Sequence, residues 1–129
     1  MSQSSLHNKK NKFNSNLKNT SRYKIKCTTL DTYYYSQNKK NIIDLIKIDA
    51  EGEDLNVLKG SKKLLKNKKI QLIKIELLNS FFGLKKKSNI NEIILFLNKY
   101  NYHIITITKT KFVNEKLLMM DVYFSQNKL

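Results

Sequence analysis

Three acidic residues stand at the ends of two predicted strands, where their carboxylates could take part in chemistry. Asp49 and Glu51 directly follow the apolar run at residues 42–48, and Glu76 lies near the end of a second run, residues 70–77. Because ligands bind outside the carboxyl ends of strands in an open parallel sheet, we expect the three side chains to face one cleft. Carboxylates placed there can accept a proton, orient a hydroxyl group or hold a divalent cation.

The same acidic residues also have a purely structural interpretation. Acidic side chains before a helix are stabilised by the helix dipole, and Gly52 could serve only to permit a tight turn. Glu76, alone at the end of its strand, could be solvated or paired with one of the many lysines. Residue spacing by itself leaves both interpretations open.

Two buried strands and an intervening helix are needed to position these residues. Residues 42–48 are mostly apolar and β-branched, which predicts a central parallel strand covered on both faces, and residues 70–77 repeat the pattern. Between them leucines recur near helical spacing, Glu53 and Asp54 suit a helix N-terminus, and Gly60 with Ser61 indicates a break and restart. The sequence therefore predicts a strand-helix-strand crossover.

The segment before the crossover is polar at first and then alternates. Residues 1–22 show neither helical nor strand periodicity, which favours a loose arm. Residues 23–28 alternate as a half-exposed strand does, with the lone Cys27 on its apolar side, and Leu30 and Asp31 would end that strand. We expect Cys27 to be a small buried residue. Residues 32–40 fit a short helix or a strand equally well.

The C-terminal part predicts one more helix and a hairpin. After a loop containing Phe81, Phe82, Gly83 and Lys85–Lys87, Asn89 and Glu92 have capping-box spacing ahead of a helix that reaches about Asn101. Residues 103–108 and 117–124 are strand-like and flank a turn at residues 114–116. The whole chain thus predicts a single α/β domain.

Composition and charge exclude several classes of protein. The net charge of +15 invites a nucleic-acid partner, but Arg22 is the only arginine, and arginine is the residue suited to bidentate phosphate and base contacts. The near absence of arginine therefore argues against a surface dedicated to nucleic-acid recognition. No signal-peptide pattern and no apolar run of spanning length occurs, which predicts a cytoplasmic chain without a membrane partner. No Cys/His cluster with metal-ligand spacing occurs, so we assign no metal-binding residues.

Several motifs, in order, resemble the hallmark of the FkbM-type methyltransferase family. They are Ile43-Asp44-Leu45-Ile46-Lys47-Ile48-Asp49-Ala50-Glu51-Gly52-Glu53 and Val57-Leu58-Lys59-Gly60, with Thr29-Leu30-Asp31 similar to a short motif that precedes the hallmark strand. Ser4-Ser5-Leu6 is similar to a small-residue segment further upstream. The strand ending at Glu76 and the final hairpin fit the family's ending, so the resemblance spans most of the chain.

The resemblance implies transfer of a methyl group from S-adenosylmethionine, usually to an oxygen of a sugar or another small molecule. The acceptor and donor must be aligned for in-line displacement, and a group must take the hydroxyl proton. Asp49 matches the family position beside the methyl end of the cofactor, which gives it a cofactor-binding and a catalytic role. Glu51 is the second choice for proton acceptance, and Glu76 is a residue that would line the acceptor site.

One half of the family pattern is missing from the sequence. Family members begin with a strand, a glycine-rich turn and an acidic residue that hold the cofactor, whereas this chain has only Gly52, Gly60 and Gly83. We therefore expect residues 23–129 to form the C-terminal part of a Rossmann-type methyltransferase domain, with parallel strands flanked by helices and a C-terminal antiparallel hairpin.

A missing first half would leave the strand at residues 42–48 with an exposed apolar edge, which residues 23–29 could cover in part. Expected partners are the small-molecule acceptor and either a separate N-terminal half or a second copy of the chain over that edge. An alternative function is a non-catalytic basic module that binds nucleic acid or an acidic protein.

Overall fold

The structure is a computed structural model that describes residues 23–38, 41–78 and 89–126. These residues form four helices and four strands: α1 (Leu30–Ser36), β1 (Ile43–Ile48), α2 (Asp54–Lys59), α3 (Lys62–Lys66), β2 (Ile70–Leu78), α4 (Ile90–Asn98), β3 (His103–Val113) and β4 (Lys116–Ser125). The predicted arm at residues 1–22, with Ser4-Ser5-Leu6, lies outside the described residues. So does the predicted loop with Phe81-Phe82-Gly83 and Lys85–Lys87.

The four strands form one mixed sheet in the order β1-β2-β4-β3. The pair β1 and β2 is parallel, with Leu45 opposite Leu72 and Ile48 opposite Ile75, while β4 is antiparallel to both of its neighbours. The predicted crossover and the predicted hairpin are therefore confirmed. The hairpin turn is tight, since Val113 pairs with Lys116 and the two residues between them, Asn114 and Glu115, both have positive φ.

The core joins one face of the sheet to the helices. Alternate residues on the three adjacent strands are fully or almost fully buried, and leucines from the helices pack with them in the same cluster. The sheet contributes Ile48, Ile73, Ile75, Leu77, Val122 and Phe124, and the helices contribute Leu58, Leu64, Leu65, Ile93 and Leu97. Burial of these side chains supplies most of the favourable free energy of folding.

The crossover helix is broken where the sequence predicted. Gly60 ends α2 and Ser61 precedes α3. A Cβ added at Gly60 would lie 3.3 Å from the Thr29 Cβ, so the glycine lets the chain before α1 pack closely against the break. The Asp31 backbone N–H donates to the Gly60 carbonyl at 3.0 Å, which fixes this approach.

The predicted strand at residues 23–28 is wrong. These residues form no regular secondary structure and are exposed, and the expectation that Cys27 is buried is wrong too. Leu30 and Asp31, expected to end the strand, instead begin α1, whose N-cap Thr29 accepts a hydrogen bond from the Thr32 N–H. Local alternation cannot form a strand unless a neighbouring strand satisfies the backbone groups, and none of the described strands does so here.

The expectation that β1 is covered on both faces is wrong for the described part of the chain. Ile48 is buried, but Leu45, which points to the opposite face, is 51% exposed. Among the described strands β1 pairs only with β2 and lies at the edge of the sheet. Residues 23–29 form no strand beside it.

Helix α4 begins as the sequence indicated. Asn89 is its N-cap, and the Asn89 side chain accepts a hydrogen bond from the Asn91 N–H at 2.9 Å. The helix ends at Asn98, close to the predicted end, and Asn101 follows with a positive φ. Next along the chain the buried Tyr102 donates its hydroxyl to the Ile70 carbonyl at 2.6 Å.

Candidate functional site

An acidic turn connects the carboxyl end of β1 to α2. The Glu53 N–H donates to the Ala50 carbonyl at 3.0 Å, and the two residues between them have positive φ, 50° for Glu51 and 100° for Gly52. A turn with positive φ at both central positions favours glycine at each of them. Glu51 is not a glycine, so its positive φ is strained. Gly52 therefore has the structural role that its residue type indicated.

A buried carboxylate holds this turn from within. Asp54 is 2% exposed, and its Oδ1 accepts a hydrogen bond from the Ala50 N–H at 3.0 Å. The sequence indicated that Asp54 suits the helix N-terminus, but it did not indicate the contact of Asp54 with the turn. The position of Asp54 along the chain does not show which backbone N–H its carboxylate will accept a hydrogen bond from. The contact fixes the backbone between Asp49 and Glu51.

One lysine brings two of the three predicted site residues together. The Lys47 Nζ lies 3.0 Å from Asp49 Oδ2 and 3.9 Å from Glu76 Oε2. The side chains of Lys47 and Asp49 are half exposed, at 51% and 40%, and that of Glu76 is 25% exposed. Asp49 and Glu76 therefore belong to one charged cluster at the carboxyl ends of β1 and β2, as expected from the parallel pairing.

Glu51 stands apart from that cluster. It is exposed at the tip of the acidic turn, and no contact between its carboxylate and Lys47 is observed. The three carboxylates thus have different surroundings: Asp49 is paired at short range, Glu76 is paired at longer range and is partly buried, and Glu51 faces solvent. Lys47 was not predicted, although its position two residues before Asp49 puts both on one side of an extended chain.

A second charged cluster lies further across the sheet. Asp121 on β4 is fully buried, and its Oδ2 lies 2.7 Å from the Lys74 Nζ and 3.7 Å from the Lys109 Nζ. The hydrogen bond to Asp121 is the main reason why the pKa of Lys74 is raised above its ordinary value of 10.5. Asp121 also pairs in register with Glu76, so this cluster adjoins the first.

The described residues also contain a cavity of about 390 Å³, but it lies elsewhere. It is open, mostly apolar, and lies between α1 and the beginning of β1, with Tyr33, Tyr34 and Ile42 in its lining. Asp49 and Glu51 follow the opposite end of β1, so this cavity does not serve them. Within residues 23–38, 41–78 and 89–126, no group of three or more His, Cys, Asp or Glu side chains could hold a metal ion.

The arrangement at the carboxyl edge can orient a hydroxyl group and accept its proton. Carboxylate oxygens of Asp49, Glu51 and Glu76 are acceptors only, and the Lys47 ammonium is a donor only. A ligand with several hydroxyl groups offers both donors and acceptors, so it would find partners for both.

No helix in the part of the chain that the structure describes is long and apolar enough to cross a membrane.

Comparison with known families matches most of the chain to one domain model. The model of the methyltransferase FkbM domain matches residues 1–104, a range that contains Asp49, Glu51, Glu76 and the whole crossover. No curated protein and no solved structure matches the chain. The matched range ends at the start of β3.

Proposed function

Because the chain belongs to the FkbM methyltransferase domain family, we propose that it transfers a methyl group from S-adenosylmethionine to a hydroxyl oxygen of a sugar or another small molecule. The observation that carries the proposal is the cluster of Asp49, Lys47 and Glu76 at the carboxyl ends of two parallel strands. Ligands bind at that edge of such sheets. The acidic turn with Glu51 adjoins the cluster.

In this proposal Asp49 is the residue nearest to the reacting atoms. Methyl transfer is a displacement in which the acceptor oxygen attacks the sulfonium methyl group, the carbon–sulfur bond breaks, and the acceptor proton passes to a base. Asp49 would take that proton and would contact the methyl end of the bound cofactor. Its Oδ2 contacts Lys47, so the proposal assigns the acceptor proton to Oδ1.

Glu51 and Glu76 complete the acceptor side of the proposed site. Glu51 is exposed on a turn whose backbone is held by Asp54, and its carboxylate can act as the alternative base. Glu76 is partly buried next to Lys47 and lines the acceptor site. Removal of a general base commonly lowers the rate by about 10²–10⁴-fold.

The domain is proposed to be the C-terminal part of a Rossmann-type methyltransferase, without the half that holds most of the cofactor. Support comes from the sequence, which has no glycine-rich loop that opens a helix, and from the position of β1 at the edge of the described sheet. A strand that pairs on one side has unsatisfied backbone groups on the other. A separate N-terminal half would satisfy them, and so would a second copy.

Titration of the chain with S-adenosylmethionine tests the proposal that the cofactor-binding half is missing. We expect no saturable heat of binding by isothermal calorimetry, because only the acceptor side of the cleft is present. S-adenosylhomocysteine serves as the second ligand in the same experiment. Tight saturable binding by the chain alone would show that it holds a complete cofactor site, and the methyltransferase proposal itself would survive that result.

Substitution of Asp49 tests the catalytic role. In a preparation that turns over after a cofactor-binding segment is supplied, Asp49→Asn should lower the release of S-adenosylhomocysteine by about 100-fold or more. Asp44→Asn is the matched control, since Asp44 is an exposed acid on β1 outside the charged cluster. Equal rates for the two variants would remove Asp49 from catalysis and leave Glu51 as the base to be tested.

A further inference from the structure

Strand β1 has a row of backbone groups that face away from β2. The Ile43 N–H donates to the Lys69 carbonyl at 2.7 Å on the β2 side. Because successive residues of a strand direct their backbone groups to opposite sides, the N–H and C=O groups of Asp44, Ile46 and Ile48 face the other side. No described strand pairs with β1 there, and this side is called the open edge of β1 below. Such an edge is a template for a further strand.

Exposed apolar side chains are concentrated in and around this region. Leu45 is 51% exposed on β1, and Tyr33 and Ile42, each 53% exposed, line the cavity where β1 begins. Tyr23 and Ile25 are 83% and 75% exposed on the chain before α1. These five are half of the ten large apolar side chains that are exposed on the described residues. Exposed apolar surface that is concentrated rather than scattered indicates a site of association.

Residues 23–28 are suited to pair with the open edge as a strand. Apolar and polar residues alternate from Tyr23 to Thr28, yet the segment is exposed and forms no regular secondary structure. In its own chain it does not pair with β1, and the next residue, Thr29, is packed against Gly60 at the break in the crossover helix. A strand-like segment and an open strand edge that do not pair within one copy can pair between two copies.

The side-chain pattern determines the face and the register of such a pairing. Leu45 lies on the face of the sheet away from the helices, so Ile25 opposite Leu45 places the apolar side of the segment on that face. The two lysines of the segment then share the other face with the exposed Asp44. The reverse arrangement would place these lysines on the face of Lys47, where like charges repel.

The position of the cavity favours antiparallel pairing. With Ile25 opposite Leu45, an antiparallel segment has Thr28 opposite Ile42, so the α1 helix that follows the segment comes to the cavity of the other copy. Two-fold symmetry then brings the two cavities together and covers the exposed Tyr33 and Ile42 of each. A parallel segment would end near Ile48 and leave both side chains exposed. Antiparallel pairing is also slightly more stable per residue.

We propose that two copies of the chain exchange residues 23–28, each segment pairing antiparallel with the open edge of β1 in the other copy. Lys24 with Ile46, and Lys26 with Asp44, then exchange backbone hydrogen bonds, and symmetry doubles their number. The proposal does not rest on methyl transfer. A separate cofactor-binding half would compete for the same edge and would therefore separate the two copies.

Light scattering of the full chain after size-exclusion chromatography tests the proposal. The natural chain should have twice the mass of one copy at high concentration and should dissociate on dilution. Lys26→Pro should weaken the dimer by about tenfold or more, because proline lacks the N–H that would donate to the Asp44 carbonyl. Lys26→Ala keeps that N–H and is the matched control. Ile25→Ser should weaken the dimer by about tenfold, and Leu95→Ser is the apolar control, since Leu95 is 64% exposed on α4.

A disulfide cross-link tests the direction of the pairing. Cys27 is the only cysteine of the chain, and the antiparallel register places it opposite Ile43 of the other copy. Such a non-hydrogen-bonded pair has Cα atoms about 4.5 Å apart, a distance that a disulfide can span. Ile43→Cys should therefore form a cross-linked dimer on mild oxidation, as seen by non-reducing electrophoresis. Lys47→Cys is the control, because residue 47 would lie opposite Cys27 only in parallel pairing.

Four results would overturn the proposal. The first is a single-copy mass at every concentration. The second is a dimer that Lys26→Pro and Ile25→Ser leave intact, which would place the interface elsewhere, and the third is equal weakening by Ile25→Ser and Leu95→Ser. The fourth is a cross-link with Lys47→Cys and none with Ile43→Cys. Circular dichroism of each variant shows that the fold is kept, and none of these results bears on methyl transfer.

Discussion

Asp31 shows how one side chain can connect distant parts of the chain. Its carboxylate accepts hydrogen bonds from the Lys63 and Leu64 N–H groups at 2.8 and 2.9 Å, and these are orphan donors in the first turn of α3. Negative charge at that place is also favoured by the helix dipole. The motif Thr29-Leu30-Asp31 therefore has a structural role, because it holds α1 against the break between α2 and α3.

Asp31→Ala should lower the free energy of unfolding by about 1–2 kcal/mol, because two backbone donors lose their acceptor. Asp31→Asn should lower the free energy of unfolding by less, since the side-chain amide oxygen can still accept a hydrogen bond. Urea denaturation followed by circular dichroism measures the difference, and Asp44→Ala on β1 is the control. Equal stability of Asp31→Ala and Asp44→Ala would contradict the capping role.

Glu51 has a backbone conformation that its residue type disfavours. A positive φ of 50° costs a non-glycine residue about 1–2 kcal/mol, partly offset by the larger entropy that glycine would lose on folding. Strain of this kind is often kept where a side chain is needed for function. The strained position therefore supports the proposed role of Glu51.

Glu51→Gly should raise the free energy of unfolding by about 0.5–1 kcal/mol relative to Glu51→Gln, since both variants lose the charge and only the glycine relieves the strain. Thermal and urea denaturation of the two variants give the comparison. If Glu51→Gln proved as stable as Glu51→Gly, strain at this turn would be negligible. The conformation of Glu51 would then say nothing about function.

At the scale of elements, Tyr102 ties the segment after α4 to the beginning of β2. The buried hydroxyl donates to the Ile70 carbonyl, and burial raises the pKa of Tyr102 from 10.0 to about 12. The folded protein therefore holds the phenol proton more tightly than the unfolded chain does. The resulting stabilisation is fully present below pH 10 and is lost as the pH rises to about 12.

Tyr102→Phe should lower the free energy of unfolding by about 1 kcal/mol at neutral pH, because the hydrogen bond to the Ile70 carbonyl disappears. The variant should also lose stability less steeply than the natural chain between pH 10 and 12. Lys74, with its raised pKa, titrates in the alkaline range in both proteins, so the slope difference isolates Tyr102. The free energy of unfolding is measured by urea titration at several pH values across that range. An equal dependence on pH in the two proteins would contradict the raised pKa.

At the scale of the whole molecule, the unbalanced charge opposes folding. A net charge of +15 on 129 residues makes the compact state repel itself, and salt screens this repulsion over about 10 Å at 0.1 M ionic strength. The acidic residues are unevenly distributed: Asp49, Glu51, Glu53 and Asp54 lie within one short segment that follows β1. The carboxyl edge of β1 is thus an acidic region on a basic protein.

Sodium chloride should therefore raise the midpoint of thermal unfolding, by an amount that corresponds to about 1 kcal/mol between low and physiological ionic strength. Choline chloride is the control that separates screening from specific sodium binding, since it supplies the same ionic strength without sodium. A midpoint that falls with salt would mean that attractive pairs, such as Lys47 with Asp49, outweigh the overall repulsion.

Much of the element order could be predicted because it depends on local periodicity. The two apolar β-branched runs, the break at Gly60, the Asn89 cap and the hairpin turn near Asn114 are all local patterns, and each is found in the structure. Residues 23–28 also alternate, yet they form no strand. A strand needs a partner for its backbone hydrogen bonds, and alternation does not reveal whether that partner exists.

The sequence alone was enough to identify the acidic residues at the carboxyl edge of β1 and the family motifs. Both depend only on the order and spacing of residues along the chain. Only the tertiary structure decided that Lys47 joins Asp49 to Glu76, that Asp54 fixes the acidic turn and that Asp31 caps α3. These contacts depend on strand register and on close packing at Gly60. Both are set by how distant segments pack, which local spacing does not encode.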